Sequence, residues 1–598
     1  MRADYFKKIP NLNYVWASLV VEELCRQGAD YFCIAPGSRS SPLTVAVATN
    51  PKAKSFIHYD ERGLGFYALG FVSALCRPAV VIVTSGTAVA NLFPSVIEAS
   101  KKKLPLIVLT ADRPPELRKT GADQTIEQPG MFGEYVRWQM DCPCPDLNIK
   151  PAVVLTTIGQ AVYRANGNPP GPVHLNCMFR EPLSPSIKEK IPKDYFKELQ
   201  PWLKEKNAYS QYIPSEKSLS RHHLSQMAHM INHQAKNGII VVGKLNTAEE
   251  RTAVGEIAAK LNWPVFPDIT SGLRLGRGEG NVIAHFDQIL LSEKVMQRLA
   301  VDCVLHLGGR ITSKRWGQFI LKKKPAHYVM VLNHPLRNDP LHQVTLRVEA
   351  NAAQFCNGLL PLIAPKTSDR SLKWLRNLSL SVAETMDVFQ DKEDVLSEPM
   401  VARVISQNCP AQHALFLASS MPIRDMDMYA ASGFYSVTIG ANRGASGIDG
   451  TVASAVGFAQ GLKKPVTLLI GDLALLHDLN SLAMVARSRE PVVVVVLNND
   501  GGAIFSFLPI ARMDQKNLFE KYFATPHHLE FASAARMFGL NYFQPRRKDE
   551  LLLHYQKALA HRKSAIVEIK TNRETNWQVH QDLQKKIMSA LNKMKGTA

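Results

Sequence analysis

The feature that most constrains this chain is a recurring unit, a short run of strand-forming residues that ends in Gly, Asp, Ser or Asn and is followed by a helical stretch. That alternation is the pattern of parallel sheets with crossover helices. The runs fall into three groups. The first holds YFCIAPGS from Tyr31, AVVIVTSG from Ala79 and LPLIVLTAD from Leu104; the second GIIVVGK from Gly238, DCVLHLGG from Asp302 and HYVMVLN from His327. The third holds HALFLASS from His413, PVTLLIGD from Pro465, PVVVVVLNND from Pro491 and SAIVEIK from Ser564. The expected fold class is therefore α/β, with three doubly wound parallel-sheet domains over residues 1–187, 188–365 and 366–598. The first and third groups share a rhythm but little sequence, so any repeat is structural.

Two stretches punctuate the pattern. Ser184 to Ser220 is polar, lysine-rich and interrupted by proline, and reads as a linker carrying one short helix; IAPKTSDRS from Ile363 plays the same part before the third group. A chain of 598 residues has room for such a plan, since length alone allows roughly three to five domains. Hydrophobic residues at 46% and charged residues at 21% exclude a disordered chain.

The N-terminal residues lack an apolar signal core, and no segment approaches a membrane span, so a cytoplasmic protein with no integral membrane segment is expected. Nine scattered cysteines, with Cys142 and Cys144 too close for usual zinc spacing, read as reduced buried thiols. The formal charge of +19 admits nucleic acid, an anionic membrane surface or anionic small molecules as partners. The densest basic runs, Lys101–Lys103 and Lys322–Lys324, are short and lack a nucleic-acid-binding signature, so no nucleic acid is expected.

In parallel sheets, ligands collect at the carboxyl ends of the strands. The strand from Pro465 delivers Gly471 and Asp472 into a turn that opens a helix, and the strand from Pro491 delivers Asn498, Asn499 and Asp500 before Gly501-Gly502. The separation, 499 − 472 = 27 residues, is about one strand-helix-strand unit, which brings both turns to one sheet edge. A carboxylate at Asp472, an amide oxygen at Asn499 and a backbone carbonyl at Gly501 form a hard-oxygen set suited to Mg²⁺ shared with phosphate oxygens. The helix opening adds backbone donors for those phosphates.

A GD turn followed by NN resembles the metal motif of the thiamine diphosphate fold, with its pyrimidine, central and diphosphate domains. PGSRSSPLT at Pro36, DERGLGF at Asp60, TSGTAVANLFPSVIEAS at Thr84, LTADRPPELRKTGADQTIEQPGMFG at Leu109, SSMPIRDMD at Ser419 and NRGASGIDG at Asn442 extend the likeness. Together they resemble the 2-succinyl-5-enolpyruvyl-6-hydroxy-3-cyclohexene-1-carboxylate synthase family of menaquinone biosynthesis. The middle of the chain is similar only at ITSKRWGQF from Ile311.

This resemblance implies thiamine diphosphate with Mg²⁺ or Mn²⁺ as cofactors, 2-oxoglutarate and isochorismate as substrates, and a homodimer or homotetramer with active sites between subunits. Glu61 would be the acid on the cofactor's pyrimidine ring, with Asp60 and Arg62 holding its turn and Gly63 and Gly65 giving room for the ring and for helix packing. Gly86, Ile448, Gly471, Asp472, Leu473, Ala474, Asn499, Ile504 and Phe505 would contact the cofactor, with Ile448 as its apolar prop. Both substrates are anions, and Arg39, Arg113, Lys314, Arg315, Arg424 and Arg443 are the candidate cations. Ser38, Gln124 and Ser420 would orient substrate groups, while Phe505 and Leu508 would wall the site.

Three positions depart from the family pattern. Ala474 stands where serine is common, Leu473 replaces the glycine of the GDG form, and Asp123 puts a charge beside Gln124. Another thiamine diphosphate-dependent decarboxylase or acetolactate-type synthase is the alternative within enzymes. A noncatalytic anion- or nucleotide-binding protein is the alternative outside them, weakened because no GxGxxG fingerprint follows a strand with an acid at the proper distance.

Overall fold

All ten strand-like runs form strands, and among the described residues seven further strands complete three fully parallel sheets. The structure is a computed structural model that describes residues 9–594, apart from 216–217, 277–279, 368–369, 434–436, 513–515 and 562. The two punctuating stretches therefore each include positions outside the described residues.

The first sheet has β1 (Tyr31–Ile34), β2 (Lys54–Ile57), β3 (Ala79–Val83), β4 (Leu106–Asp112), β5 (Trp138–Cys142) and β6 (Val173–Met178), in the order β2-β1-β3-β4-β6-β5. The second has β7 (Gly238–Val242), β8 (Val265–Pro267), β9 (Cys303–Leu307), β10 (His327–Leu332) and β11 (Leu346–Glu349), in the order β11-β10-β9-β7-β8. The third has β12 (Ala414–Leu417), β13 (Thr438–Ala441), β14 (Val466–Gly471), β15 (Val492–Asn498), β16 (Asn541–Phe543) and β17 (Ala565–Lys570). Its order, β13-β12-β14-β15-β17-β16, repeats that of the first sheet strand for strand. Central strands such as β3, β4 and β15 are buried along their whole length, which is why they read as unbroken Val, Ile and Leu runs.

The chain divides into two compact units. One holds residues up to Ser215 together with Asn442–Lys463 and His477–Glu490; the other holds Glu216–Ala441, Lys464–Leu476 and the residues from Pro491 onward. In the first unit the helix Glu61–Leu75 crosses the helix Thr451–Leu462 at backbone contact distance. A Cβ on Gly70 would lie 2.0 Å from the Ser454 carbonyl oxygen, and one on Gly457 would lie 1.9 Å from that of Tyr67. Glycine at both positions is what permits the crossing.

The lysine-rich stretch after Ser184 carries its expected short helix, Gln200–Lys204, preceded by a 3₁₀ segment. It is anchored to the first sheet's layer rather than solvated. Trp202 is buried, donates its indole N–H to Glu23 at 2.9 Å and lies under the Arg26 guanidinium at 4.0 Å.

Candidate active site

The first unit presents a cleft of about 350 Å³ at the carboxyl ends of its strands, lined by Glu61, Thr84, Gly86, Gly121, Gln124 and Ile126 among others. Glu61 opens its helix because Asp60 caps it. The Asp60 carboxylate accepts from the backbone N–H groups of Arg62 at 3.0 Å and Gly63 at 3.3 Å, an arrangement worth about 1 kcal/mol. The Glu61 side chain is half-buried and has no hydrogen bond or ion pair among the described residues.

One expectation for this turn changes, and the packing expected of its glycines is present. Arg62 joins the turn only through its backbone N–H, and its side chain reaches His477, donating to its carbonyl at 2.7 Å. Gly63 and Gly65 serve packing: a Cβ on Gly65 would lie 2.3 Å from Ser95 Oγ, and one on Gly63 would lie 3.0 Å from Ser481 Oγ.

Arg113 holds both walls of the cleft. Its guanidinium donates to Ser85 Oγ at 2.8 Å and to the Asp123 carbonyl at 2.7 Å. The Asp123 carboxylate itself is exposed, so the additional charge in this loop points to solvent-accessible surface. Gln124 follows with a left-handed backbone, φ +53°, and is exposed. Gly86 also needs a positive φ, +87°, and its N–H donates at 3.0 Å to Gln128, a fully buried amide that sequence reading missed.

Ser38 is exposed in the loop after β1. Arg39 beside it is buried, donating to the Phe179 carbonyl at 2.9 Å and pairing with Glu181 at 3.2 Å. Burial and the neighbouring Arg113 cation both lower the Arg39 pKa. Ile448 is 36% exposed. Its segment is tied down by Glu98, a buried acid whose carboxylate accepts from the N–H of Gly444 at 2.7 Å and of Ala445 at 2.6 Å. Arg443, next to Gly444, is half-buried.

The second unit holds the oxygen set. Gly471 pairs with Leu497 in the β14–β15 register, so Asp472 and Asn499 leave adjacent strand ends together. The Asp472 carboxylate is buried and accepts from the N–H groups of Leu473 at 2.6 Å, Asn499 at 3.1 Å and Gly501 at 2.9 Å, with His527 Nε2 at 3.2 Å. Burial raises its pKa, and these donors oppose the rise. The loop turns through left-handed Asp500, φ +59°, and Gly501, φ +131°. At Gly501 a Cβ would lie 2.1 Å from the Ala524 carbonyl oxygen, so glycine is required.

These residues fit a hard divalent cation. Asn499 Oδ1 is buried and accepts no hydrogen bond among the described residues, while Asn499 Nδ2 donates to Glu398 at 2.9 Å. A buried acceptor left unmade costs stability unless something binds it. The Gly501 carbonyl accepts once, from Ala503 N–H at 3.0 Å, and keeps a second lone pair. A buried carboxylate, an amide oxygen and a free carbonyl lone pair together are the donor chemistry that Mg²⁺ or Mn²⁺ takes.

Around it, Ala474 is buried, and the helix it belongs to, Asp472–His477, is short. Leu473, Ile504 and Phe505 are half-buried, and Leu508 is 42% exposed. Ser420 sits at φ +74° before the helix Met421–Tyr429, and its carbonyl accepts from Arg424. Strain of this kind in a non-glycine residue concentrates at functional sites. Burial lowers the Arg424 pKa. Lys314 is exposed, whereas Arg315 is committed to an ion pair with buried Asp287.

Glu398 and His527 escaped the sequence reading for different reasons. Glu398, in SEPMV, carries the ordinary look of a helix-opening acid before proline. His527 lies 55 residues beyond Asp472 and has no local signal.

Three parallel sheets, with an uncommitted acid in a cleft at one sheet's edge and a hard-oxygen loop at another's, are the framework of a thiamine diphosphate-dependent enzyme. The families described as "Thiamine pyrophosphate enzyme, N-terminal TPP binding domain", "Middle domain of thiamine pyrophosphate" and "Thiamine pyrophosphate enzyme, C-terminal TPP binding domain" match residues 16–131, 193–417 and 424–569. Benzoylformate decarboxylase from Polynucleobacter necessarius shares the fold, with a TM-score of 0.69 at 16% identity over 93% of this chain and 98% of that one. The 2-succinyl-5-enolpyruvyl-6-hydroxy-3-cyclohexene-1-carboxylate synthase of Rubrobacter xylanophilus is 47% identical over 96% of this chain and 98% of its own length. The protein of the same name from Salinibacter ruber is 42% identical over 97% and 98%. The chain belongs to this family of synthases.

Proposed function

We propose that this protein decarboxylates 2-oxoglutarate and adds the resulting succinyl unit to isochorismate, releasing CO₂ and forming 2-succinyl-5-enolpyruvyl-6-hydroxy-3-cyclohexene-1-carboxylate for menaquinone biosynthesis. The observation that carries the reading is the near-full-length similarity to synthases of that name. Bound thiamine diphosphate supplies the carbanion chemistry, and the chain's own residues bind, orient and move protons.

Asp472, Asn499 and the Gly501 carbonyl would hold Mg²⁺ or Mn²⁺, with Gly471, Leu473, Ala474, Ile504 and Phe505 around the cofactor. Glu61 would share a proton with the cofactor's pyrimidine ring, and its lack of a protein partner supports that role. Gly86 and Ile448 would shape the cofactor's seat. Arg39, Arg113, Arg424, Arg443 and Lys314 would meet substrate carboxylates, joined by Ser38, Gln124 and Ser420, with Leu508 as an apolar wall. Arg315 has the weakest support, because Asp287 already engages it.

The proposal includes the domain limits 1–187, 188–365 and 366–598, and a homodimer or homotetramer whose active sites form between subunits. It also places the enzyme in the cytoplasm; among the described residues no helix is long and apolar enough to cross a membrane. The test is a two-substrate assay with thiamine diphosphate and Mg²⁺, read by mass spectrometry. A product that requires both 2-oxoglutarate and isochorismate is expected. Consumption of 2-oxoglutarate with no isochorismate-dependent product would leave a decarboxylase instead.

A further inference from the structure

The orientation of Asn499 is decided by a residue other than Asp472. An asparagine amide has a donor end and an acceptor end, and either can face a given neighbour unless the surroundings choose. Glu398 makes that choice. It is the first residue of the helix Glu398–Asn408, is 1% exposed, and is fixed through its backbone N–H, which donates to Asn576 Oδ1 at 3.1 Å. Its Oε1 is the acceptor that Asn499 meets, with Nδ2 turned toward it at 2.9 Å. Asn499's backbone N–H is meanwhile held at 3.1 Å by Asp472. With its amide donor and main chain both pinned, Asn499 presents Oδ1 as its buried unpartnered atom.

We propose that Glu398 is a positioning residue that holds Asn499 with its amide oxygen, not its nitrogen, toward the bound metal ion. The inference rests on Asp472, Asn499 and Gly501 being the metal's protein ligands. Without Glu398 the amide is free to rotate, and a misplaced NH₂ group repels a cation. Outer partners that orient metal ligands in this way set metal affinity without touching the ion.

A merely structural role makes a different forecast. Leucine approximates the volume of glutamate and removes a buried carboxylate, so a protein using Glu398 only for packing loses little and can gain stability. The experiment is a Mn²⁺ titration of the full chain at saturating thiamine diphosphate, following free Mn²⁺ by electron paramagnetic resonance. The unfolding temperature of the metal-free protein is measured alongside. Asn499→Ala serves as the reference for loss of a ligand.

Glu398→Leu is expected to weaken Mn²⁺ binding about 10–100-fold while the metal-free unfolding temperature holds or rises. Glu398→Asp, one methylene short of Asn499, is expected to weaken it in the same direction and replaces the leucine variant if that fails to fold. Glu398→Gln keeps an acceptor oxygen and is expected to restore near-native affinity. Native affinity in Glu398→Leu or Glu398→Asp, with Asn499→Ala impaired, overturns the positioning role alone. Native affinity in Asn499→Ala overturns the ligand assignment beneath it.

Discussion

The first and third sheets share one strand order, yet the loops at their carboxyl edges are built in opposite ways. After β2, the first sheet offers Glu61, a half-buried acid with no described partner, at the rim of an open cleft. After β14 and β15, the third offers Asp472, a buried acid gripped by three backbone donors and a histidine. The difference teaches how one architecture divides labour. On the proposed function, the acid that would exchange a proton is left uncommitted, whereas the one that would hold a cation is fixed in advance of it.

The largest expected effect comes from breaking the fixed side. Asp472→Ala removes the carboxylate of the oxygen set and is predicted to lower kcat/KM on the order of a thousandfold, equivalent to about 4 kcal/mol. Excess Mn²⁺ added to the assay would not restore it. Full activity in this variant would erase the distinction between the two edges.

A second prediction concerns the helix that delivers Glu61. Gly457→Ala drives a Cβ against the Tyr67 carbonyl oxygen, 1.9 Å away in the present backbone, so the two helices must separate. The expected loss is roughly 1–3 kcal/mol, read as a lower urea midpoint. An unchanged midpoint would mean that the close crossing does not contribute to stability.

A smaller and pH-dependent effect sits inside the first sheet. His174, on β6, donates to or accepts from Thr110 Oγ1 at 2.8 Å, and burial lowers its pKa to about 4. The folded value lies below the unfolded one of about 6.5, so the unfolded chain binds the proton more readily. Stability is therefore independent of this group above pH 6.5 and is lost as pH falls from there toward 4. His306, on β9, is also held near 4 by burial and adds to the same slope. Unfolding of His174→Gln measured across that window should show a shallower dependence on pH. An unchanged slope would assign the acid sensitivity elsewhere.

Much of this was legible in the chain. β14 and β15 declared themselves because strands buried on both faces must be written in Val, Ile and Leu. The missed strands are short, or carry polar residues that paired inside the sheet. β2 is a largely exposed edge, and β6 hides His174 and Asn176 among its apolar positions. Asp472 and Asn499 were found through their spacing, which a strand-helix-strand unit fixes. Glu398 and Glu98 were not, because a long-range partner gives a glutamate no local signature. The packing role of Gly65 was legible, but not its partner Ser95, which lies 95 − 65 = 30 positions further along the chain.

The contrast between a free acid and a fixed one is tested most directly in Glu61→Gln, by measuring turnover and thiamine diphosphate affinity on the same preparation. Removing the ionisable proton while keeping shape should cut turnover by roughly 10²–10⁴, the range of general acid–base catalysis, with cofactor affinity close to native. Near-native turnover in this variant would contradict the account.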